Sequence, residues 1–297
     1  MSSALPFADW VQTTQTSTEI ALDGFLPPPT QQPKRLHQAM RYATLGGGKR
    51  MRPLLVHAAG ELFDAQAICL ARTGAALEMI HAYSLVHDDM PCMDDDALRR
   101  GKPTVHVQYD QATALLVGDA LQAQAFALLA GLQIDSARVV AMIGLLAQAS
   151  GSTGMCGGQA IDLNSVGLTL SLAELEQMHR LKTGALLHAA VLLGAWCGKS
   201  PAPAESAALG AYARAVGLAF QVVDDVLDAT ADSATLGKTA GKDAADNKPT
   251  YVSILGLEAS RQLAERLRRE AHEALTMFGE RGNRLCALAD LIVQRHA

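Results

Sequence analysis

Residues Tyr83 to Thr104 read YSLVHDDMPCMDDDALRRGKPT, and this stretch organises the rest of the chain. Five aspartates fall within nine residues, and two arginines, Arg99 and Arg100, follow directly. Carboxylates this close repel one another, so a folded chain keeps them at a buried site only if a cation lies among them. Oxygen ligands suit Mg²⁺, and an arginine fork suits phosphate oxygens. The stretch therefore predicts a site for a metal-bound diphosphate.

A second acidic stretch, FQVVDDVLD, runs from Phe220 to Asp228. Asp224 and Asp228 are four residues apart, which on a helix places them on one face at roughly 6 Å, with Gln221 a turn earlier. Two acidic helix faces can hold one metal-bound diphosphate between them. The alternative for the first stretch is a solvated acidic turn after a helix, but that alternative leaves the second stretch unexplained.

A glycine-rich basic segment, GGGKRMRP, occupies Gly46 to Pro53. Its glycines break a helix and let backbone N–H groups approach an anion, while Lys49, Arg50 and Arg52 supply positive charge. The Walker-loop spacing is absent. Taken alone, the segment is an ordinary basic loop; beside two aspartate stretches, it predicts a second anion site.

A histidine precedes the first acidic stretch on the same predicted helix. His81, Ser84 and Asp88 share one helix face at spacings of three and four. A single helical histidine is usually structural, but the shared face makes His81 a candidate site residue.

The composition favours packed helices. The chain has 297 residues, of which 49% are hydrophobic and only 4% aromatic. No segment alternates as a strand does or shows the strand–turn–helix rhythm of α/β folds, and no long linker separates domains. We therefore predict an all-α, single-domain helical bundle over residues 1–297. The predicted helices include 8–25, 34–44, 54–63, 72–89, 113–131, 136–149, 205–230, 254–278 and 284–295, with a capping box at Ser171 and Glu174.

Bulk properties exclude several classes of protein. A net charge of −5 gives no electrostatic footprint for nucleic acid. Five cysteines without a Cys-x-x-Cys pair indicate free thiols and a cytoplasmic location. The first residues show no secretory signal pattern. The longest apolar run, Ala185 to Cys197, is too short to cross a bilayer, so we expect no membrane span.

The combined segments resemble the short-chain trans-isoprenyl diphosphate synthases, most closely the bacterial farnesyl diphosphate synthases. The resemblance implies a helical bundle around a central cavity, usually as a homodimer. It implies condensation of isopentenyl diphosphate with dimethylallyl or geranyl diphosphate to give mainly farnesyl diphosphate, with a geranylgeranyl diphosphate synthase as the alternative. The segments that carry it, in family order, are GGGKRMRP, HDDMPCMDDDALRRGKPT, GDALQ, GGQAID, KTG, FQVVDDVLD and a loop with Lys238 and Lys248.

The resemblance also implies roles for single residues and a cofactor, Mg²⁺, at three ions per active site, with Mn²⁺ as an alternative. The implied metal contacts are Asp88, Asp89, Asp94, Asp162, Asp224, Asp225 and Asp228. The implied contacts of the allylic diphosphate are Arg99, Lys182, Thr183, Gln221, Lys238 and Lys248. Those of isopentenyl diphosphate are Lys49, Arg52, His81 and Arg100. The implied catalytic group is Asp88, Asp94, Arg99, Lys182, Asp224 and Lys238. Tyr83 and Ser84, next to the first motif, are the implied determinants of product length.

Three other functions remain as alternatives. A carboxylate-bridged di-iron bundle needs two Glu-x-x-His motifs, and the chain has them at Glu78 to His81 and at Glu176 to His179. That function leaves both aspartate stretches unexplained. A non-catalytic partner subunit would have lost an aspartate motif, and both are intact here. A terpene cyclase has no second diphosphate to bind, so it has no use for GGGKRMRP.

Overall fold

A computed structural model describes residues 5–230 and 249–294, and the chain in these ranges is almost entirely helical. The predicted all-α fold class is therefore confirmed. Lys238 and Lys248 lie outside the described residues, so their roles stay predictions. The chain divides into two compact units, one of Met1–Ile143 with Leu193–Lys199 and one of Gly144–Leu192 with Ser200–Ala297. The single-domain organisation stays a prediction.

The first unit is built on a long buried helix, α4, which ends at the first acidic stretch. Leu77, Met79 and Ile80 of α4 are fully buried, as expected of a helix that is apolar on all sides. A Cβ at Gly118 would lie 2.0 Å from the His87 ring, so glycine is needed where α6 packs on the end of α4. The helices are α1 (Phe7–Phe25), α2 (Lys34–Thr44), α3 (Met51–Glu61), α4 (Ala67–Asp88), α5 (Val105–Gln108), α6 (Gln111–Ala130) and the first part of α7 (Ser136–Ser150).

The second unit packs its apolar core around α11. Val222 and Val223 of α11 lie in one buried cluster with Met178, Tyr251 and Leu267. The helices after α7 are α8 (Met155–Asn164), α9 (Leu172–His179), a π-helical turn (Arg180–Gly184), α10 (Ala185–Gly198), α11 (Pro203–Thr230), α12 (Tyr251–Leu255), α13 (Leu257–Ala274), a 3₁₀ segment (Thr276–Gly282) and α14 (Asn283–Gln294). The predicted capping box at the start of α9 is present.

Two local predictions were wrong. The helix predicted over 254–278 is broken at Gly256, whose φ of 85° is outside the helical region. A two-residue hairpin, β1 (Leu98–Arg99) with β2 (Lys102–Pro103), occurs where no strand was predicted. Arg100 and Gly101 turn the chain with φ values of 53° and 73°, as in a type I′ turn. Strands of two residues are too short to show the alternation of apolar and polar residues that predicts a strand.

Among residues 5–230 and 249–294, four helical runs are long and apolar enough to cross a membrane, by length and composition alone. The apolar run Ala185 to Cys197 lies in one of them, a helix of 27 residues, because α9 and the π-helical turn continue into α10. Inside the protein, 39–61% of each apolar window is buried, as expected for helices that form a core. The runs are Gln111–Ala130, Ser136–Asn164, Leu172–Gly198 and Pro203–Thr230.

Candidate active site

The first acidic stretch folds back on the end of α4. The Asp94 N–H donates to the Asp88 carbonyl at 2.8 Å, and the Asp96 N–H donates to the Asp89 carbonyl at 3.2 Å. These turns bring Asp94 next to Asp88 although five residues separate them. Both side chains are partly exposed, whereas Asp89 is buried. The backbone therefore gathers the two carboxylates that were expected to contact a metal.

The buried carboxylate of Asp89 binds an arginine. Arg99 Nε donates to both Oδ atoms of Asp89, at 3.1 and 3.3 Å, and Arg99 also pairs with Asp96 at 3.4 Å. Burial raises the pKa of Asp89, and the hydrogen bonds from Arg99 oppose that rise. Asp89 thus has a protein partner that competes with its implied metal contact, and it fixes the Arg99 side chain at the start of the hairpin.

The glycine-rich segment forms a cradle for the neighbouring arginine. Gly46, Gly47 and Gly48 all have positive φ values, of 79°, 147° and 102°. A Cβ at Gly48 would lie 2.9 Å from Arg100 Nη2, so a side chain there would collide with the guanidinium. Arg100 Nη1 donates to the Gly47 carbonyl at 2.9 Å. The two consecutive arginines of the hairpin therefore contact different segments: Arg99 binds aspartates of the acidic stretch, and Arg100 binds the glycine segment.

Arg50 does not offer its charge to an anion, contrary to the expectation for GGGKRMRP. It is buried and pairs with Glu78 at 2.6 Å and with Glu19 at 2.6 Å. Its Nη2 also donates to the Thr44 carbonyl at 2.7 Å. This pair could not be predicted from the sequence, because Glu78 lies on an apolar helix 28 residues away from Arg50. The pair anchors the glycine segment to α4, and it occupies the glutamate that a di-iron site would need.

The remaining basic side chains surround His81. Burial, then the charges of Arg52, Arg100, Arg50 and Arg99, hold the pKa of His81 well below its ordinary value. Burial also lowers the pKa of Arg52, whose buried Nε has no hydrogen-bond partner among the described residues. The structure thus gathers Arg52, His81 and Arg100, as the resemblance implied. Lys49, the fourth residue of that group, is exposed on the same segment.

In the second unit, the π-helical turn presents a lysine to α8. A Cβ at Gly158 would lie 2.1 Å from the backbone nitrogen of Lys182, so glycine allows the two backbones to come into contact. Lys182 Nζ donates to Asp162 Oδ2 at 2.5 Å. π-Helical turns within α-helices are frequent at functional sites. The GGQAID and KTG segments, distant in sequence, therefore meet at one ion pair.

A chain of hydrogen bonds leads from this turn into α11. Thr183 Oγ1 donates to Gln221 Oε1 at 3.3 Å, and Gln221 Nε2 donates to Asp225 Oδ1 at 2.8 Å. The Tyr251 N–H donates to the other oxygen of Asp225 at 2.8 Å. Asp225 is therefore buried with protein donors on both oxygens, whereas Asp224 is partly exposed. Asp228 is buried one helical turn further.

Sequence reasoning missed two residues behind this chain. The Tyr251 ring stacks on His179 with centroids 5.6 Å apart, and both side chains are buried. Burial lowers the pKa of His179 to about 4, so the ring is neutral at pH 7. His179 precedes the π-helical turn, and Tyr251 holds Asp225, so the pair supports both. Only the position of Tyr251 directly after a polar stretch of sequence could have indicated such a role.

Comparisons with known proteins identify the family. Residues 33–277 match the polyprenyl synthetase family. A probable farnesyl diphosphate synthase of Sinorhizobium fredii is 52% identical, covering 94% of this chain and 85% of its own length. The farnesyl diphosphate synthase of Escherichia coli is 46% identical, covering 93% and 94%. The chain belongs to the polyprenyl synthetase family.

A solved structure agrees with this membership. The apo crystal structure of an FPP/GFPP synthase from Zymomonas mobilis matches the polyprenyl synthetase chain with a TM-score of 0.86 and 42% identity, over 97% of this chain and 98% of that chain. The resemblance inferred from the motifs is therefore confirmed. Within residues 5–230 and 249–294, no three His, Cys, Asp or Glu side chains form a ready metal site, so the di-iron alternative has no support.

The acidic groups of this polyprenyl synthetase fit a metal that the substrate completes. Mg²⁺ takes one or two protein carboxylates and fills its other positions with water and substrate phosphate oxygens. Asp88 and Asp94 in one unit, and Asp224 in the other, are partly exposed carboxylates of this kind. Such a site requires only a few protein carboxylates for each ion and does not require that the protein supply every ligand.

Proposed function

We propose that this polyprenyl synthetase is a Mg²⁺-dependent farnesyl diphosphate synthase, which condenses isopentenyl diphosphate with dimethylallyl diphosphate and then with geranyl diphosphate. One observation supports the proposal: the chain has two kinds of polar group that suit two different diphosphates. The charges of Arg52 and Arg100 act on His81, and Arg100 lies against Gly48 of the glycine segment. The partly exposed aspartates instead suit a diphosphate that arrives with metal.

The allylic diphosphate is assigned to the aspartate stretches with Arg99 and Lys182. Partly exposed aspartates such as Asp88, Asp94 and Asp224 would hold Mg²⁺, proposed at three ions per site, and the metal would supply positive charge against the departing diphosphate. Arg99 and Lys182 are proposed to donate hydrogen bonds to the diphosphate, and within its own unit each is held in place beforehand by an ion pair, with Asp89 and with Asp162. Thr183 and Gln221 fix the turn that carries Lys182. The allylic carbocation left behind is then attacked by the double bond of isopentenyl diphosphate.

Isopentenyl diphosphate is assigned to Lys49, Arg52, His81 and Arg100. The arginines bind its oxygens in a planar fork, and the neutral His81 donates one hydrogen bond without adding charge. No side chain in the described group is placed as a strong base, so the released diphosphate takes the proton. Water must be excluded while the cation exists.

Product chromatography tests the proposal directly. The full chain is incubated with isopentenyl diphosphate, each allylic starter and Mg²⁺, and prenyl alcohols are separated after dephosphorylation. We expect mainly the fifteen-carbon product, and none when EDTA removes the metal. Absence of any condensation product with every starter, at saturating Mg²⁺, would refute the proposal. A twenty-carbon main product would instead favour the geranylgeranyl alternative.

Tyr83 is proposed to set the product length. It lies five residues before Asp88, about 7.5 Å along the helix, and its ring is only 5% exposed. The ring packs edge-on against His87, with centroids 5.8 Å apart. Tyr83→Ala removes this bulk, so we expect products of twenty carbons or more with the first condensation largely preserved. Ser84, the other implied determinant, already has a small side chain whose hydroxyl donates to the His81 carbonyl at 2.9 Å. Ser84→Ala therefore opens little space at the second implied position and is the matched control. Equal product spectra in the two variants would place the limit elsewhere.

The quaternary state and location complete the proposal. We propose a homodimer in the cytoplasm. The dimer is supported by exposed apolar side chains on the first unit, at Leu115 and Leu116 of α6 and at Val140 of α7. The five thiols are free, as expected in a reducing compartment. Light scattering after gel filtration should give twice the chain mass. A monomer at micromolar concentration would count against the dimer without affecting the assigned chemistry.

A further inference from the structure

A cavity of about 290 Å³ lies in the second unit, and none of the residues assigned above to metal or substrate lines it. This volume equals that of roughly ten water molecules, enough for a phosphate group and a short hydrocarbon chain. Three helical segments form its wall: Leu145 and Ala149 of α7, Arg180 and His188 of the π-helical turn and α10, and Arg214 and Leu218 of α11.

The titratable side chains on this wall are all basic. Arg180 has a carboxylate partner, Glu176, at 3.3 Å on the exposed surface. For Arg214 and His188, residues 5–230 and 249–294 provide no ion pair or hydrogen bond. An exposed arginine can be satisfied by water alone, so the charge of Arg214 does not by itself indicate a ligand.

The convergence of Arg214 with His188 does indicate one. A Cβ added at Gly210 would lie 3.2 Å from Arg214 Nη1 and 3.5 Å from His188 Nε2. Two nitrogens from different helices therefore lie within 3.5 Å of one point, and glycine leaves that point open. Burial, then the charge of Arg214, lowers the pKa of His188. A cation beside a neutral imidazole is an arrangement that suits an anion with several acceptor oxygens.

Apolar side chains, Leu145, Ala149 and Leu218, also line the cavity. We propose that this cavity binds an organic phosphate with a short hydrocarbon chain. The phosphate contacts Arg214 and His188, with Arg180 at the rim, and the chain lies on the three apolar side chains. Phosphate fits better than carboxylate because three basic groups approach it, and a planar guanidinium binds two of its oxygens at once.

Calorimetric titration of the full chain in EDTA at pH 7 tests the proposal without using catalytic activity. The probes are hexyl phosphate, inorganic phosphate and hexanol. We expect hexyl phosphate to bind at least tenfold more tightly than either fragment, because it engages both the basic and the apolar side chains of the wall. Geranyl phosphate, run in parallel, distinguishes a branched isoprenoid ligand from a straight alkyl one by relative affinity.

Variants test whether the heat of hexyl phosphate binding comes from this cavity. Arg214→Gln should weaken hexyl phosphate about tenfold, whereas Arg261→Gln, the same change at an exposed residue of α13, should not. Gly210→Ala places a methyl group at the shared point and should also weaken binding, with Gly144→Ala, which meets no atom within 4 Å, as its control. Arg52→Gln shows how much of the heat comes from phosphate that binds at the glycine segment and not in the cavity.

The proposal is overturned if hexyl phosphate binds no tighter than inorganic phosphate, or if Arg214→Gln and Gly210→Ala both bind as the parent does. It is also overturned if Arg52→Gln removes all of the heat, since the binding would then belong to the glycine segment. Circular dichroism spectra confirm that each variant is folded. Because the proposed synthase activity is not measured, failure here leaves that function untouched.

Discussion

Two acidic stretches, one in each unit, begin with the same Asp-Asp pair and are built on different backbones. The first lies where a helix ends and the chain turns back, and the second lies within one continuous helix. In both, the second aspartate of the pair is buried and bound by protein donors: Asp89 by Arg99, and Asp225 by Gln221 and Tyr251. The first aspartate, Asp88 or Asp224, is partly exposed. A motif that looks uniform in sequence thus divides into one partly exposed aspartate and one buried aspartate with protein partners, and we propose that only the exposed aspartate binds the metal.

The largest expected effect tests the residues on the ligand side. Asp88→Ala and Asp224→Ala should each lower the rate of the chemical step by about 10³-fold or more, because each removes a carboxylate that binds the metal with the leaving diphosphate. Single-turnover kinetics at saturating Mg²⁺ measures this, with circular dichroism to show an intact fold. Near-normal turnover in either variant would contradict its assignment as a metal ligand.

Much of the fold and the positions of both acidic stretches could be predicted from the sequence, but the difference between the two aspartates of each pair could not. The helical pattern predicted most helix positions to within a few residues, because α4 and α11 carry long apolar runs. The buried partners could not be predicted, since they depend on contacts between distant segments. Nothing near Arg50 in sequence indicates Glu78, and nothing near Asp225 indicates the Tyr251 N–H. The hairpin of Arg99 and Arg100 escaped notice because it has only two residues per strand.

The next effect separates the two arginine environments. Arg52→Ala should raise the KM for isopentenyl diphosphate by about 10- to 100-fold with a smaller change for the allylic substrate, because Arg52 lies with His81 and Arg100. Arg99→Ala should do the reverse, because Arg99 lies on the aspartate stretch. Initial rates with each substrate varied in turn give both constants. If both variants affect the same substrate, the hairpin does not divide the two diphosphates.

A smaller effect sharpens the comparison within each Asp-Asp pair. Asp89→Asn and Asp225→Asn keep the shape of the side chain but weaken charge-assisted hydrogen bonds, so we expect about a tenfold loss of kcat. Unlike Asp88→Ala and Asp224→Ala, they should also lower the free energy of unfolding by about 1–3 kcal/mol, because the protein donors to Asp89 and Asp225 lose a charged acceptor. Urea unfolding without ligand measures this. Full stability together with a 10³-fold loss of rate would make these aspartates metal ligands instead.

The smallest effect concerns a property that both units share, which is neutral buried histidines. Burial lowers the pKa of His57 in the first unit and of His179 in the second to about 4. An unfolded histidine has a pKa near 6.5, so between about pH 6.5 and 4 the unfolded chain binds more protons than the folded one. The free energy of unfolding is therefore unaffected by these groups above about pH 6.5 and falls as the pH decreases below it. We expect each to cost about 1–2 kcal/mol by pH 5. Urea unfolding at pH 7.5 and 5.5 should show the loss, and His57→Gln and His179→Gln should each reduce it. The same dependence on pH in the parent and both variants would mean that these two rings do not cause it, and that other groups do, such as His81, whose pKa is lowered by burial and then by the charges of four arginines.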